Sequence, residues 1–141
     1  MADETGNVIS GRAPEPVGAF PHAKRVGDLL FLSGIGPRVR DSKKIPGVTL
    51  DEGGEVVDHD IEQQCLSVFR NVRTVLEDAG SGWDRIVDVT VFLTDMKRDF
   101  ATFNRLYAEH FAENQPTRTT IEVNRLPTPI AIELKVIATI G

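Results

Sequence analysis

Between Asp60 and Gly80 the apolar residues Ile61, Cys65, Val68, Phe69, Val72 and Leu76 recur in steps of three and four. That period places them on one face of a helix, with Asp58 or Asp60 available to cap its start and Gly80 to end it. Phe100, Phe103, Tyr107 and Phe111 repeat the spacing behind Asp99 and predict a second helix reaching about Glu113. Elsewhere the period falls to two or vanishes. RIVDVTVFLTD, residues 85–95, is dense in β-branched residues and predicts a buried strand. TRTTIEV at 117–123 and PIAIELKVIATI at 129–140 predict two more, separated by the turn-forming NRLPTP. In FPHAKRVGDLLFLS, residues 20–33, Gly27-Asp28 sits between two apolar stretches, as in a tight hairpin. Residues 36–59 mix Pro37, Pro46, glycines and charges, so they predict an irregular excursion with a short strand at Glu55 to Val57. The first 16 residues are polar and aperiodic and predict a mobile or surface-laid arm. The order ββ(β)αβαββ in one chain of 141 residues predicts a single α+β domain spanning 1–141.

Composition narrows the function classes. With 40% hydrophobic residues the chain can bury a core, so disorder is not expected. Sixteen Lys and Arg against 21 Asp and Glu leave a net charge of -5, which argues against a broad phosphate-binding surface and hence against a nucleic-acid partner. One cysteine cannot form an internal disulfide, and the opening residues lack the apolar stretch of a secretory signal, so a cytoplasmic location is expected. No apolar run approaches the ~20 residues of a membrane span, and membrane insertion is not expected.

In the last strand Ile130, Ile132, Leu134, Val136, Ala138 and Ile140 share one face, while Ala131, Glu133, Lys135, Ile137 and Thr139 share the other. In 117–123, Arg118, Thr120 and Glu122 lie opposite Ile121 and Val123. Arg118 and Glu133 are therefore expected together on the less apolar side of the sheet. Either charge alone reads as a solvated strand residue or half of a cross-strand ion pair. A face mixing Ala, Thr, Ile, Arg and Glu suits a subunit interface better than plain solvent. His22, His59, His110 and Cys65 show no compact ligand spacing, and Asp58-His59-Asp60 reads as a helix start beside a loop, so no metal is expected; Gly34-Ile35-Gly36 has neither a P-loop lysine nor a dinucleotide fingerprint after it, so no nucleotide cofactor is expected either. Cys65 reads as a core residue.

Leu32-Ser33-Gly34, Asp99-Phe100-Ala101-Thr102-Phe103-Asn104, Pro116-Thr117-Arg118, Arg125-Leu126-Pro127 and Ile132-Glu133-Leu134 occur in this order. Together with the strand order they resemble the RidA/YjgF reactive-intermediate deaminase family over residues 17–141. The resemblance implies the RidA/YjgF (chorismate-mutase-like) fold, a mixed β-sheet with two helices on one face, assembled as a homotrimer around an inner barrel or as a dimer of trimers, with clefts between subunits. It also implies hydrolysis of enamines or imines without metal or cofactor, with Arg118 holding the substrate carboxylate and Glu133 positioning water. Ser33, Gly34 and Asn104 match positions around the cleft, although Asn104 equally suits a helix residue bonding a neighbouring backbone group.

Where many members read Gly-Pro-Tyr-Ser-Gln-Ala, this chain reads Gly18-Ala19-Phe20-Pro21-His22-Ala23, so Phe20 replaces a tyrosine. The long excursion, His22, Arg38 and Arg40 resemble the 2-aminomuconate deaminase branch, which serves the degradation of aromatic compounds. That substrate, a dicarboxylate enamine, would set its first carboxylate on Arg118 and its distal one on Arg38, Arg40 or His22. Arg38 and Arg40 read equally as solvated loop charges. His22 is suited by type to the proton steps, or to a neutral hydrogen-bonding role in the first strand. A scavenger of short 2-imino acids such as 2-aminoacrylate and a non-catalytic ligand-binding or chaperone-like member are the alternatives.

Overall fold

The computed structural model describes residues 2–140. A six-stranded sheet runs in the order β1-β2-β3-β8-β6-β7, built from β1 (Asn7–Val8), β2 (Ala23–Val26), β3 (Leu29–Leu32), β6 (Ile86–Leu93), β7 (Thr117–Glu122) and β8 (Ile132–Thr139). Only β6 and β7 are parallel, so the sheet is mixed. The helix between them, α2 (Met96–Phe111), supplies the crossover that a parallel pair needs. The earlier helix, α1 (Ile61–Asp78), joins the second sheet, a ribbon of β4 (Val48–Leu50) and β5 (Val56–His59), to β6.

Both helices pack on one face of the large sheet. Leu30, Leu32, Val89, Val91, Leu134 and Val136 on that face form one buried cluster with Val68, Val72, Val75 and Phe103 of the helices. Cys65 lies in this cluster, where burial pushes its thiol up to about 12 and keeps it an inert apolar filler. No helix among the described residues is long and apolar enough to cross a membrane.

The start of α1 follows the predicted chemistry, since the Asp60 carboxylate accepts from the backbone of Glu62 and Gln63. At its end Gly80 takes φ +83°, and the amides of Gly80 and Ser81 return to the Glu77 and Leu76 carbonyls. This closes a Schellman motif that a side chain would strain. Helix α2 begins three residues before the expected Asp99. Asp95 caps it, and Asp99 is buried against His59, with Asp99 Oδ2 and His59 Nε2 2.7 Å apart. Asp58 and Asp60 turn to other partners, Arg98 and the α1 backbone, so the Asp58-His59-Asp60 triplet is three separate anchors.

The excursion forms more structure than its sequence predicts, because β4 pairs with β5 although only β5 carries a strand pattern. Gln64, fully buried on α1, ties its base to the sheet. Its amide donates to the Pro46 carbonyl and its carbonyl accepts from the Ala131 amide. The arm is surface-laid, with Asn7 and Val8 paired to β2 as an edge strand. Replacing Gln64 with Met leaves both backbone groups without that partner and is expected to lower stability by about 2 kcal/mol, measured by urea unfolding.

Candidate active site

Residues paired across a ladder point to the same side of a sheet. Glu133 pairs with Phe92, and Phe92 with Ile121, all on the face away from the helices. Arg118 pairs with Val89, and Val89 with Val136, on the helix-covered face. The expectation that Arg118 and Glu133 share a face is therefore overturned. Alternation along β7 separates Arg118 from Ile121 correctly but does not reveal which side the helix covers. At this edge strand the covered side is the polar one, because α2 lays rings and an asparagine over it.

The Arg118 guanidinium sits 4.7 Å from the Tyr107 ring centroid, 5.3 Å from Phe103 and 5.9 Å from Phe100. Its Nη1 donates to Asn104 Oδ1 at 2.9 Å. These residues occupy successive positions of one face of α2, which the sequence presents simply as an apolar helix stripe. Tyr107 Oη and Thr120 Oγ1, also on this side of the sheet, are buried without a hydrogen-bond partner among the described residues. No carboxylate of the described chain forms an ion pair with Arg118. The rings attract the cation, and a guanidinium with one bond to Asn104 has further N–H donors of the kind that bind carboxylates.

Glu133 lies in a separate cleft of about 180 Å³, lined by Phe20, His22, Ser33, Gly34, Arg38 and residues of the arm. Burial pushes its carboxyl above the usual carboxylate range, while Arg38 acts in the opposite direction. Gly34 lets the Glu133 carboxylate lie close over the backbone, since a Cβ there would stand 2.6 Å from Glu133 Oε2 and push that side chain aside. On the same face, two residues along β8, the Lys135 ammonium donates to the Leu32 carbonyl, and burial lowers its pKa. Ser33 Oγ donates to the Pro21 carbonyl at 2.7 Å, which fixes the strand end and engages its proton. Phe20 is partly exposed on the cleft wall.

His22 does not have the free nitrogen that a catalytic role in proton transfer requires. Its Nδ1 accepts the Ser10 amide at 3.0 Å, which leaves Nε2 as the protonated nitrogen, donating to the Pro14 carbonyl at 2.8 Å. The ring is 6% exposed and acts as a neutral tie for the arm. The two excursion arginines also part company. Arg40 donates to the Ser10 and Ala13 carbonyls and pairs with Glu15, away from the cleft lining. Arg38 donates one bond to the Glu15 carbonyl and lines the cleft beside Glu133. Its backbone is fixed by two buried side chains of α1, Ser67 bonding the Pro37 carbonyl and Asn71 the carbonyls of Gly36 and Arg38.

The sequence model of the Endoribonuclease L-PSP family matches residues 10–140. A RutC family protein of Pyrococcus abyssi is 38% identical over 139 residues, covering 98% of each chain. The crystal structure of yeast Mmf1 superposes with a TM-score of 0.82 at 32% identity, covering 96% of this chain and 98% of that one. Escherichia coli TdcF with bound serine superposes with a TM-score of 0.80 at 30% identity, again over 96% and 98%. By this full-length likeness in sequence and fold, the chain belongs to the Endoribonuclease L-PSP family, the RidA/YjgF group that its own residue blocks resemble.

Proposed function

We propose that the protein hydrolyses the C–N bond of small enamine or imine acids without metal or cofactor, in a cleft completed by a second copy of the chain, and that its substrate is 2-aminomuconate. The products are 4-oxalocrotonate and ammonia. The observation that carries this reading is the half-buried Glu133 carboxylate in a cleft whose walls are mostly apolar, with its affinity for a proton raised by that burial. A carboxylate so placed is better suited than a solvated one to exchange protons with water and with an amine.

Arg118 supports the reading as a cation on an aromatic platform with no carboxylate of its own. Because it leaves the opposite side of the sheet, one chain does not hold a substrate between Arg118 and Glu133, and the two halves meet only across copies. The open face favours such an assembly. Phe31, Phe92 and Ile137 are half-buried on it and Val26, Leu29 and Ile121 are exposed, which is apolar area for a neighbour to cover. The homotrimer implied by the family, single or paired, would do so.

In this scheme the enamine tautomerises to an imine, and Arg118 of one copy grips the carboxylate beside the C=N carbon. Glu133 of the next copy accepts a proton from water as its oxygen attacks that carbon. Glu133 returns that proton to nitrogen to give the carbinolamine, and as its C–N bond breaks the hydroxyl proton passes to the departing nitrogen, leaving a ketone and ammonia. The distal carboxylate of 2-aminomuconate is assigned to Arg38, since Arg40 is engaged by the arm and His22 by two backbone groups. The serine bound by TdcF, itself a small amino acid with a carboxylate, belongs to the same broad ligand class.

Ammonia release from 2-aminomuconate generated in situ, with 2-aminoacrylate in parallel, is expected to be fast in the wild type and faster for 2-aminomuconate. Glu133→Gln should lower kcat by ~10²-fold or more. Arg118→Ala should raise KM by about tenfold or more. Preference for 2-aminoacrylate would make the protein a general scavenger, and no turnover of either would make it a binding module. Arg38→Ala should raise KM for 2-aminomuconate by about tenfold while leaving 2-aminoacrylate unchanged, a selective loss that Arg40→Ala should not reproduce. Co-refolding Arg118→Ala with Glu133→Gln should restore roughly one intact site in four by random assortment, read as recovered activity, if the cleft spans copies.

The raised Glu133 pKa also has a thermodynamic sign. Between its unfolded pKa and its higher folded one, the native state holds the proton that the unfolded state has lost, so stability falls as pH rises through that window. Glu133→Gln removes the effect. Its melting temperature is expected to exceed the wild type's above the window and to match it below, measured by thermal unfolding from pH 4 to 8.

A further inference from the structure

Residues 9–17 cross one side of the Glu133 cleft, with Ala13, Pro14, Pro16 and Val17 forming part of its wall. No backbone-to-backbone hydrogen bond among the described residues ties 9–17 to the rest of the chain. The segment is held by side chains instead. His22 takes the Ser10 amide and the Pro14 carbonyl, Arg40 the Ser10 and Ala13 carbonyls, and Arg38 the Glu15 carbonyl. On the outer side, Ser10 Oγ and Arg12 bind Asp78. Only Ser10 and Ala13 are buried, while Gly11, Arg12, Glu15 and Val17 are exposed. A segment with few buried contacts and no ladder bonds opens more cheaply than the sheet it covers.

We propose that residues 9–17 form a strap that closes the Glu133 cleft against water, and that His22 is its latch, a positioning residue that acts on Glu133 only through the strap. The latch sits at the middle of the strap and bridges two points four residues apart, Ser10 and Pro14, so it fixes the curvature that carries the prolines over the cleft. The order of its bonds matters. Nδ1 must accept and Nε2 must donate, which a neutral imidazole does and a Gln side chain reproduces with its carbonyl and amide. The charged groups around this unit are Arg38 and Glu133 in the cleft, Arg40 and Glu15 over the strap, and Asp78 and Arg12 beneath Ser10. Lys135, on the Glu133 strand, is engaged by the Leu32 carbonyl. With the strap closed, Glu133 keeps the burial that raises its pKa; with it open, bulk water reaches the carboxylate and that shift is lost.

This inference rests on the proposed role of Glu133 for its consequence in catalysis, but its test does not need turnover. His22→Ala and His22→Gln would be compared with wild type by the rate of tryptic cleavage after Arg12 and by the titration midpoint of the Glu133 carboxyl carbon, followed by NMR. His22→Ala is expected to be cleaved about tenfold faster or more and to titrate closer to an ordinary glutamate, while His22→Gln stays near wild type in both. If His22→Ala does not melt cooperatively, Arg40→Ala, which releases the strap from its other side, is expected to give the same two changes. Wild-type cleavage in the released strap, or faster cleavage with an unmoved Glu133 midpoint, would overturn the proposal. A strap that opens as expected in a protein without deaminase activity would uphold it while removing the catalytic reading.

Discussion

The structure depends on the placement of β8 between β3 and β6 with one face against the helices. A central strand flanked on both sides has its register held by two ladders, so its alternation becomes an assignment of chemistry to faces. Ile132, Leu134, Val136 and Ala138 go to the core and are fully buried, which commits Glu133 and Lys135 to the opposite side. A one-residue slip would bury two charges under α1 and expose the core set. The large cost of that alternative keeps the carboxylate at a fixed height beside Gly34, whose missing Cβ leaves room for it.

Around this strand the molecule builds two incomplete half-sites. One is a carboxylate in a cleft, shaped by the hairpin end, the excursion and the arm. The other is a guanidinium on three rings at the opposite edge of the sheet, shaped by the parallel pairing of β6 and β7 through α2. Among the described residues, one is a cation without an ion-pair carboxylate and the other a carboxylate tempered by Arg38. Under the proposed function their separation across the sheet requires a neighbouring copy to bring the two together.

The excursion and the arm have a common role in this arrangement. Three bonds from Ser67 and Asn71 fix the backbone beneath Arg38, and three bonds from Arg38 and Arg40 fix the arm above it. Segments that look irregular in sequence are thereby ordered by buried polar side chains rather than by ladders. This also explains His22: a ring with both nitrogens bound to backbone is better placed to hold a chain than to move protons.

Local sequence pattern determined the two helices, the strands β2, β3, β6, β7 and β8 and the split of β8 into a core face and a Glu133 face, because those features depend on local spacing against one buried layer, whereas β1 lay hidden in an arm without a period. The caps of α1, Asp60 and Gly80, were equally legible, since capping is set by residues adjacent in the chain. Strand β4 was not, since its pairing is imposed by β5 and by Gln64 from a helix that follows both. Tertiary structure alone decided the side of the sheet on which Arg118 emerges, the separation of Arg38 from Arg40, and the engagement of His22. Each of these depends on partners at least 8 residues away in sequence, at an edge strand or in loops where no local period marks which side is covered.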